Sequence, residues 1–250
     1  MGMPCDMAKI LALARRYHLP VVEDAACALG SEVSLDGGKT WARIGRPHGD
    51  IACFSFHPRK LITTGEGGMI TTRSRDYDRK IRIFRNQGMD IPRSKKGGIH
   101  GPHFEEYAEV GYNCRMTDIQ AGIGIEQMKK LPRILKERRR IASLYRSALQ
   151  TIPWIAVPRG PSYCRTNWQS YPVRVLGGAP VTRDVLMRRL SDAGISTRRG
   201  IMNAHQENAY GLSCRLPQSE AARDSVILLP MYCGMKKTDV GNVVKEIANA

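Results

Sequence analysis

The sequence predicts an α/β chain: a mostly parallel sheet with flanking helices, followed by a smaller α+β C-terminal domain. Three observations carry this reading. Short apolar runs at Val21-Val22 and Ile51-Ala52-Cys53-Phe54 are of the kind buried in parallel sheets, and each runs out into polar residues. Segments with helical spacing alternate with them. Beyond Pro153 the pattern changes to strands and helices of an appended α+β layer.

Taken in order, Met7, Ile10, Leu11, Leu13 and Ala14 recur at helical spacing between Asp6 and His18, and Pro20 stops that helix before a strand ending at Asp24. Residues 34 to 50 hold Gly37-Gly38, Gly45 and Pro47, and read as a loop or hairpin leading to a strand over 51 to 56. Met69 to Thr72 predicts another strand and Tyr77 to Asn86 a basic helix. Residues 88 to 106 carry glycine, proline and charge without apolar period, so a mobile loop is expected there. A helical pattern begins at Thr117-Asp118 and runs to Met128; after Pro132 a long charged helix continues to about Gln150.

The remainder predicts a strand over Tyr171 to Leu176, a helix over Thr182 to Ala193 and an extended piece over Ile195 to Thr197. A helix near Ser219, a strand over Val226 to Leu229 and a terminal helix from Thr238 complete it. The domain boundaries that follow are 1–130, a connecting helix over 131–152, and 153–250. No internal repeat or low-complexity tract is visible.

Composition narrows the function classes. With 250 residues, 42% of them hydrophobic and 25% charged, the chain can bury an ordinary core and is not a disordered protein. Its seven cysteines are scattered and contain no C-x-x-C pair, so neither a zinc site nor a disulfide framework is indicated, and a reducing cytoplasm fits. No apolar run reaches membrane-span length and the start lacks a secretory pattern, so no membrane partner is expected. A net charge of +16 could mark a nucleic-acid binder. The basic residues, however, are spread along the chain without interleaved aromatics, so solvated faces come first, attraction of an anionic small molecule second, and nucleic acid last.

The most informative stretch is Ser55-Phe56-His57-Pro58-Arg59-Lys60, closed by Thr64-Gly65-Glu66-Gly67-Gly68. It places one lysine where an apolar strand enters a glycine-rich turn, while Val21-Val22-Glu23-Asp24 ends a similar strand on two carboxylates. Ligands of open α/β sheets bind at the carboxyl ends of strands. An amine at one such end and a carboxylate at another suit pyridoxal 5'-phosphate, whose aldehyde takes an amine and whose ring nitrogen takes an acid. Each part also has a plainer reading: a strand-end lysine as a solvated charge, a strand-end aspartate as a helix cap, a glycine pair as a turn.

The order Glu-Asp-Ala-Ala, Ser-Phe-His-x-x-Lys, Thr-Gly-Glu-Gly-Gly, then Gly111-Tyr112-Asn113-Cys114-Arg115-Met116-Thr117-Asp118, resembles the DegT/DnrJ/StrS family of sugar aminotransferases, pyridoxal-phosphate enzymes of fold type I. The likeness continues through Gly124-Ile125-Glu126-Gln127, Thr197-Arg198-Arg199-Gly200-Ile201-Met202, His205 with Tyr210, and Leu229-Pro230. It implies a partial large domain of that fold followed by the small domain. It also implies that the chain is N-terminally truncated, lacking a phosphate-binding turn and an aromatic ring that stacks on the cofactor.

By this resemblance Lys60 is the Schiff-base lysine, Asp24 holds the pyridine nitrogen protonated, and Ser55 gives its hydroxyl to the cofactor phosphate. Asn113 is donated to the phosphate in a neighbouring subunit, which implies a homodimer with shared sites. Cys27 departs from the family, which usually places Gln or His there against the ring hydroxyl. Glu23 reads as structural and His57 as a packing or hydrogen-bonding residue. Arg115 is either a phosphate contact or a surface ion pair. His205 either faces the sugar nucleotide, with Tyr210, or is a satisfied structural histidine.

The implied reaction is transamination of a nucleotide-linked keto-sugar with an amino acid donor such as glutamate, in polysaccharide or antibiotic sugar synthesis. The alternative is a truncated, catalytically incompetent homologue. A sugar dehydratase of the same family would carry histidine in place of Lys60. Asp24, following an apolar strand, is expected to be poorly solvated.

Overall fold

The computed structural model describes residues 1–90, 105–212 and 214–250. They form two compact units. One comprises Cys5–Leu29 with Val33–Lys129, and the other comprises Met1–Pro4, Gly30–Glu32 and Lys130–Ala250.

The first unit opens with α1 (Met7–Tyr17), whose N-terminus is capped by the Asp6 carboxylate accepting from the Lys9 N–H at 3.3 Å. The chain reverses at His18, a left-handed residue with φ of 52°, and enters β1 (Val22–Asp24). The short strands β2 (Glu32–Val33) and β3 (Ala42–Arg43) lie along the chain before β4 (Ile51–Ser55), which is followed by β5 (Gly68–Thr72). Strand β4 is the centre of a three-stranded sheet. It runs parallel to β1, with Asp24 opposite Cys53, and antiparallel to β5, with Ser55 opposite Gly68. Ala52, Phe54 and Phe56 alternate into the core, as a half-buried strand requires.

Helix α2 (Arg75–Phe84) starts on Ser74, whose hydroxyl accepts from the Tyr77 N–H at 3.2 Å. Two-residue strands β6 (Met89–Asp90) and β7 (Glu106–Tyr107) then pair antiparallel. The segment expected to be a mobile loop therefore has a short ladder at its ends, because backbone pairing does not need an apolar period. Residues 91–104, where the rest of that expectation falls, lie outside the described residues.

A second correction concerns Pro132. In place of two helical stretches there is one helix, α3 (Asp118–Leu149), with Pro132 inside it. An interior proline removes one backbone hydrogen bond and costs about 3 kcal/mol. Leu131, Ile134 and Leu135 beside it are all buried, and the burial of three such side chains, worth about 2 kcal/mol each, outweighs that cost.

Helix α3 leads into the second unit, with β8 (Ile155–Ala156), β9 (Cys164–Arg165), β10 (Tyr171–Val175), α4 (Arg183–Asp192), β11 (Arg198–Arg199), α5 (Pro217–Ser225), β12 (Val226–Leu229) and α6 (Lys237–Ala248). Four of its strands form an antiparallel sheet in the order β11, β12, β10, β8. The extended piece predicted at Ile195 to Thr197 is displaced to β11, where Arg198 and Arg199 pair with Leu228 and Ile227. Ile141, Tyr145 and Leu149 of α3 pack with Tyr171, Val173, Leu186, Leu190, Ile227 and Ile247 in one core cluster. Tyr145 and Tyr171 stack with centroids 5.0 Å apart, and the Tyr145 hydroxyl donates to the Pro230 carbonyl at 2.9 Å. Burial pushes the Tyr171 phenol up to about 12.

Candidate active site

The local structure around Lys60 is built by the excursion of the chain between β4 and β5. Its base is closed by the Phe56 N–H donating to the Gly67 carbonyl at 2.8 Å, and by the Thr64 N–H and Thr63 hydroxyl donating to the Phe56 carbonyl at 3.1 and 2.8 Å. Phe56 and Ile62 anchor it in the core. Gly65 turns at φ of +82°, and a Cβ at Gly67 would stand 2.5 Å from the Thr64 hydroxyl, which is why glycine occupies both places. Within this rigid frame the Lys60 N–H donates to the His57 carbonyl at 2.9 Å. The half-buried Lys60 ammonium donates to Cys27 Sγ at 3.0 Å.

The structure thus brings Lys60 and Cys27 into contact and sets Asp24 and Ser55 at the carboxyl ends of the adjacent strands β1 and β4. Ser55 Oγ accepts from the His57 N–H at 3.3 Å, which leaves its hydroxyl proton for another acceptor. His57 Nδ1 accepts from the Arg59 N–H at 3.1 Å, and its Nε2 lies 3.9 Å from Glu66. Asn113 forms an isolated bridge with Asn86 on the exposed segment that also carries Arg115.

Asp24 differs from expectation: its side chain is exposed, and one carboxylate oxygen accepts from the Ala26 N–H at 3.0 Å. The cause is strand periodicity. Val22 and Asp24 share one face of the edge strand β1 and Val22 is 63% exposed, so the preceding apolar residue does not shield the carboxylate.

Glu23, on the opposite face, is the buried acid. It accepts from the His48 and Gly49 N–H groups at 2.6 and 2.8 Å. Burial pushes this carboxyl up, but those two bonds and the His48 imidazole 3.8 Å away outweigh it and hold the group below the usual glutamate range. A depressed folded value makes a stabilising contribution that is present above the unfolded value and is lost as pH falls through the folded one. Glu23→Gln keeps the shape and removes the charge. Thermal unfolding across pH 3 to 7 is expected to show a loss of about 1 kcal/mol at neutral pH that vanishes in acid; an equal loss at every pH would assign Glu23 a purely steric role.

His205 and Tyr210 belong to the other unit. The His205 ring is buried, with Nε2 3.1 Å from Glu220, whose carboxylate also accepts from the Leu216 N–H at 2.8 Å. Those contacts, the Leu216 N–H first and the imidazole second, lower the Glu220 carboxyl. Tyr210 is exposed. Glu220 was not singled out by sequence reasoning; its position three residues into α5 is the only signal, and it is shared by many first-turn acids.

An amine in the loop after β4, with a carboxylate and a hydroxyl at the ends of the neighbouring parallel strands β1 and β4, forms a donor set that fits pyridoxal phosphate. Among the described residues no group of His, Cys, Asp or Glu could hold a metal ion, and no helix is long and apolar enough to cross a membrane.

The chain is similar to known proteins over nearly its whole length. The chain is 35% identical over 249 residues to GDP-perosamine synthase of Caulobacter vibrioides and 34% identical over 252 residues to the uncharacterized protein MJ1066 of Methanocaldococcus jannaschii. Each match covers 98% of this chain, and the chain spans 62% and 64% of the respective relatives. Among solved structures, the aminotransferase TlmJ of Streptoalloteichus hindustanus superposes with a TM-score of 0.84 at 30% identity, over 99% of this chain and 63% of that one. The model of the DegT/DnrJ/EryC1/StrS aminotransferase family, whose enzymes use pyridoxal phosphate, matches residues 1–248, and the chain belongs to that family.

Proposed function

We propose that the protein to which this chain belongs transfers an amino group from an amino acid such as glutamate to a nucleotide-linked keto-sugar. The observation that carries the proposal is the placement of Lys60 in a clamped loop beside β4, with Asp24 and Ser55 at the ends of β1 and β4. The family is one of aminotransferases, and a relative at 35% identity is named for a GDP-linked amino sugar.

In this reading Lys60 binds the cofactor covalently and moves the proton at the substrate carbon through its Nζ. Asp24 holds the proton on the ring nitrogen, and Ser55 donates to the phosphate. Pyridoxal phosphate supplies an electron sink for the negative charge that develops when that proton leaves. Cys27 orients the lysine through the 3.0 Å contact. Asn113 and Arg115, on an exposed segment, serve the phosphate of a second copy in a homodimer, and His205 and Tyr210 meet the sugar nucleotide.

The test is amino transfer from isotopically labelled glutamate to GDP- and UDP-linked 4-keto-sugars, read by mass spectrometry. Label in the sugar supports the proposal. Transfer only to free keto acids would contradict the nucleotide-sugar assignment.

A further inference from the structure

The second unit contains a cleft of about 720 Å³ that the proposed reaction does not use. Its lining includes Arg139, Arg146, Arg159, Arg165, Thr166 and Trp168. Arg139 and Arg146 stand seven residues apart on α3, two helical turns, so they share a face about 10 Å apart along the axis. Arg159 and Arg165 come from the segment between β8 and the end of β9.

The charge of this cleft is not balanced. Glu32 lies 3.7 Å from both Arg139 and Arg165, whereas Arg146 and Arg159 have no carboxylate partner among the described residues. Four guanidinium groups around one concavity repel one another, and a cleft lined by one sign of charge concentrates the opposite ion.

The backbone beneath the cleft gives an independent observation. Trp168 is held at φ of +56°, a left-handed conformation that a non-glycine residue rarely adopts. It persists because the half-buried Arg138 donates to the Trp168 and Gln169 carbonyls at 2.7 and 2.8 Å, and the Trp168 N–H donates to the Thr166 hydroxyl at 3.2 Å. The strained residue places its indole under Arg146, whose guanidinium carbon stands 5.9 Å from the ring centroid. One ring face is therefore occupied by a cation, which disfavours stacking of a nucleobase there and leaves the guanidinium edges for the ligand.

We infer that this cleft is a binding site for a polyphosphate group, carried by a nucleotide or free. Guanidinium forks match phosphate oxygens in paired hydrogen bonds, and several cations along a helix face suit a chain of charges better than a single carboxylate. The site is distinct from the Lys60 loop, which lies in the other unit.

The experiment is calorimetric titration of the full chain with inorganic triphosphate and, separately, with ATP, at constant ionic strength and with Trp fluorescence as a second readout. Saturable binding of inorganic triphosphate is expected. The double variant Arg146→Ala/Arg159→Ala should weaken it at least tenfold, and Arg146→Lys/Arg159→Lys should fall between, because an ammonium cannot form the paired contact. A charge-matched control, Arg79→Ala/Arg82→Ala in the first unit, should change it less than twofold. Borohydride labelling of Lys60 in the presence of pyridoxal phosphate should be the same in all variants, so loss of polyphosphate binding and loss of the cofactor assignment are separable. Equal binding of ATP and inorganic triphosphate assigns recognition to the phosphate chain, and tenfold tighter ATP binding makes a nucleotide the source. Non-saturable binding, or equal weakening in the control, would overturn the inference by reducing it to bulk attraction to a basic chain.

Discussion

Lys60→Ala is expected to reduce the proposed amino transfer by at least about three orders of magnitude, to the level without protein, and to abolish the visible absorbance that pyridoxal phosphate acquires on covalent attachment. The expected effect is large because the proposed reading gives one nitrogen two tasks, the covalent bond and the proton transfer. Cys27 is the side chain in contact with it, and a thiol forms no stable bond of the required kind. The fold is expected to survive. Among the described residues Lys60 Nζ donates only to Cys27, while the loop is held by backbone bonds at its base and by Phe56 and Ile62. Circular dichroism and melting should therefore match the parent within about 0.5 kcal/mol, as for surface substitutions away from special features. A Lys60→Ala protein that retained a tenth of the transfer rate would place the amine elsewhere.

Asp24→Asn is expected to lower the same rate by about a thousand-fold, equivalent to about 4 kcal/mol of transition-state stabilisation. In the proposed reading the Asp24 carboxylate would keep the ring nitrogen protonated, which a neutral amide would not do, and the electron sink would be weaker. The turn is expected to remain, because the Ala26 N–H can donate to the amide oxygen as it does to the carboxylate at 3.0 Å. The readout that separates charge from capping is the rate measured with intact binding of pyridoxal phosphate. An Asn variant with near-normal turnover would make Asp24 a turn cap alone.

Much of the fold was legible because its strands and helices carry local signals. Ser74 and Thr182 cap α2 and α4 with side-chain hydrogen bonds, and the Val226–Leu229 strand appears with the predicted bounds. Pairings such as β6 with β7 and β8 with β10 involve two-residue strands, which have no periodicity to read. Continuity of α3 through Pro132 was illegible because burial of Leu131, Ile134 and Leu135, a tertiary effect, decides against a local rule. In the site, the sequence placed Lys60 and Ser55 at a strand end through the glycine-rich turn that follows them. It could not reveal that Lys60 meets Cys27 across 33 positions, nor that Glu23 turns inward to the His48 and Gly49 amides while Asp24 faces out. Strand alternation assigns those two acids to opposite faces, but which face is buried depends on the neighbours.

The central claim, that Lys60 is the cofactor lysine, is tested most directly by borohydride reduction with pyridoxal phosphate followed by peptide mapping. The chain has twelve lysines, so nonspecific labelling has eleven other side-chain targets. The account predicts a stoichiometric pyridoxyl group on the peptide containing Lys60 and none elsewhere at limiting cofactor. Label spread over several lysines, or concentrated on any lysine other than Lys60, would contradict it.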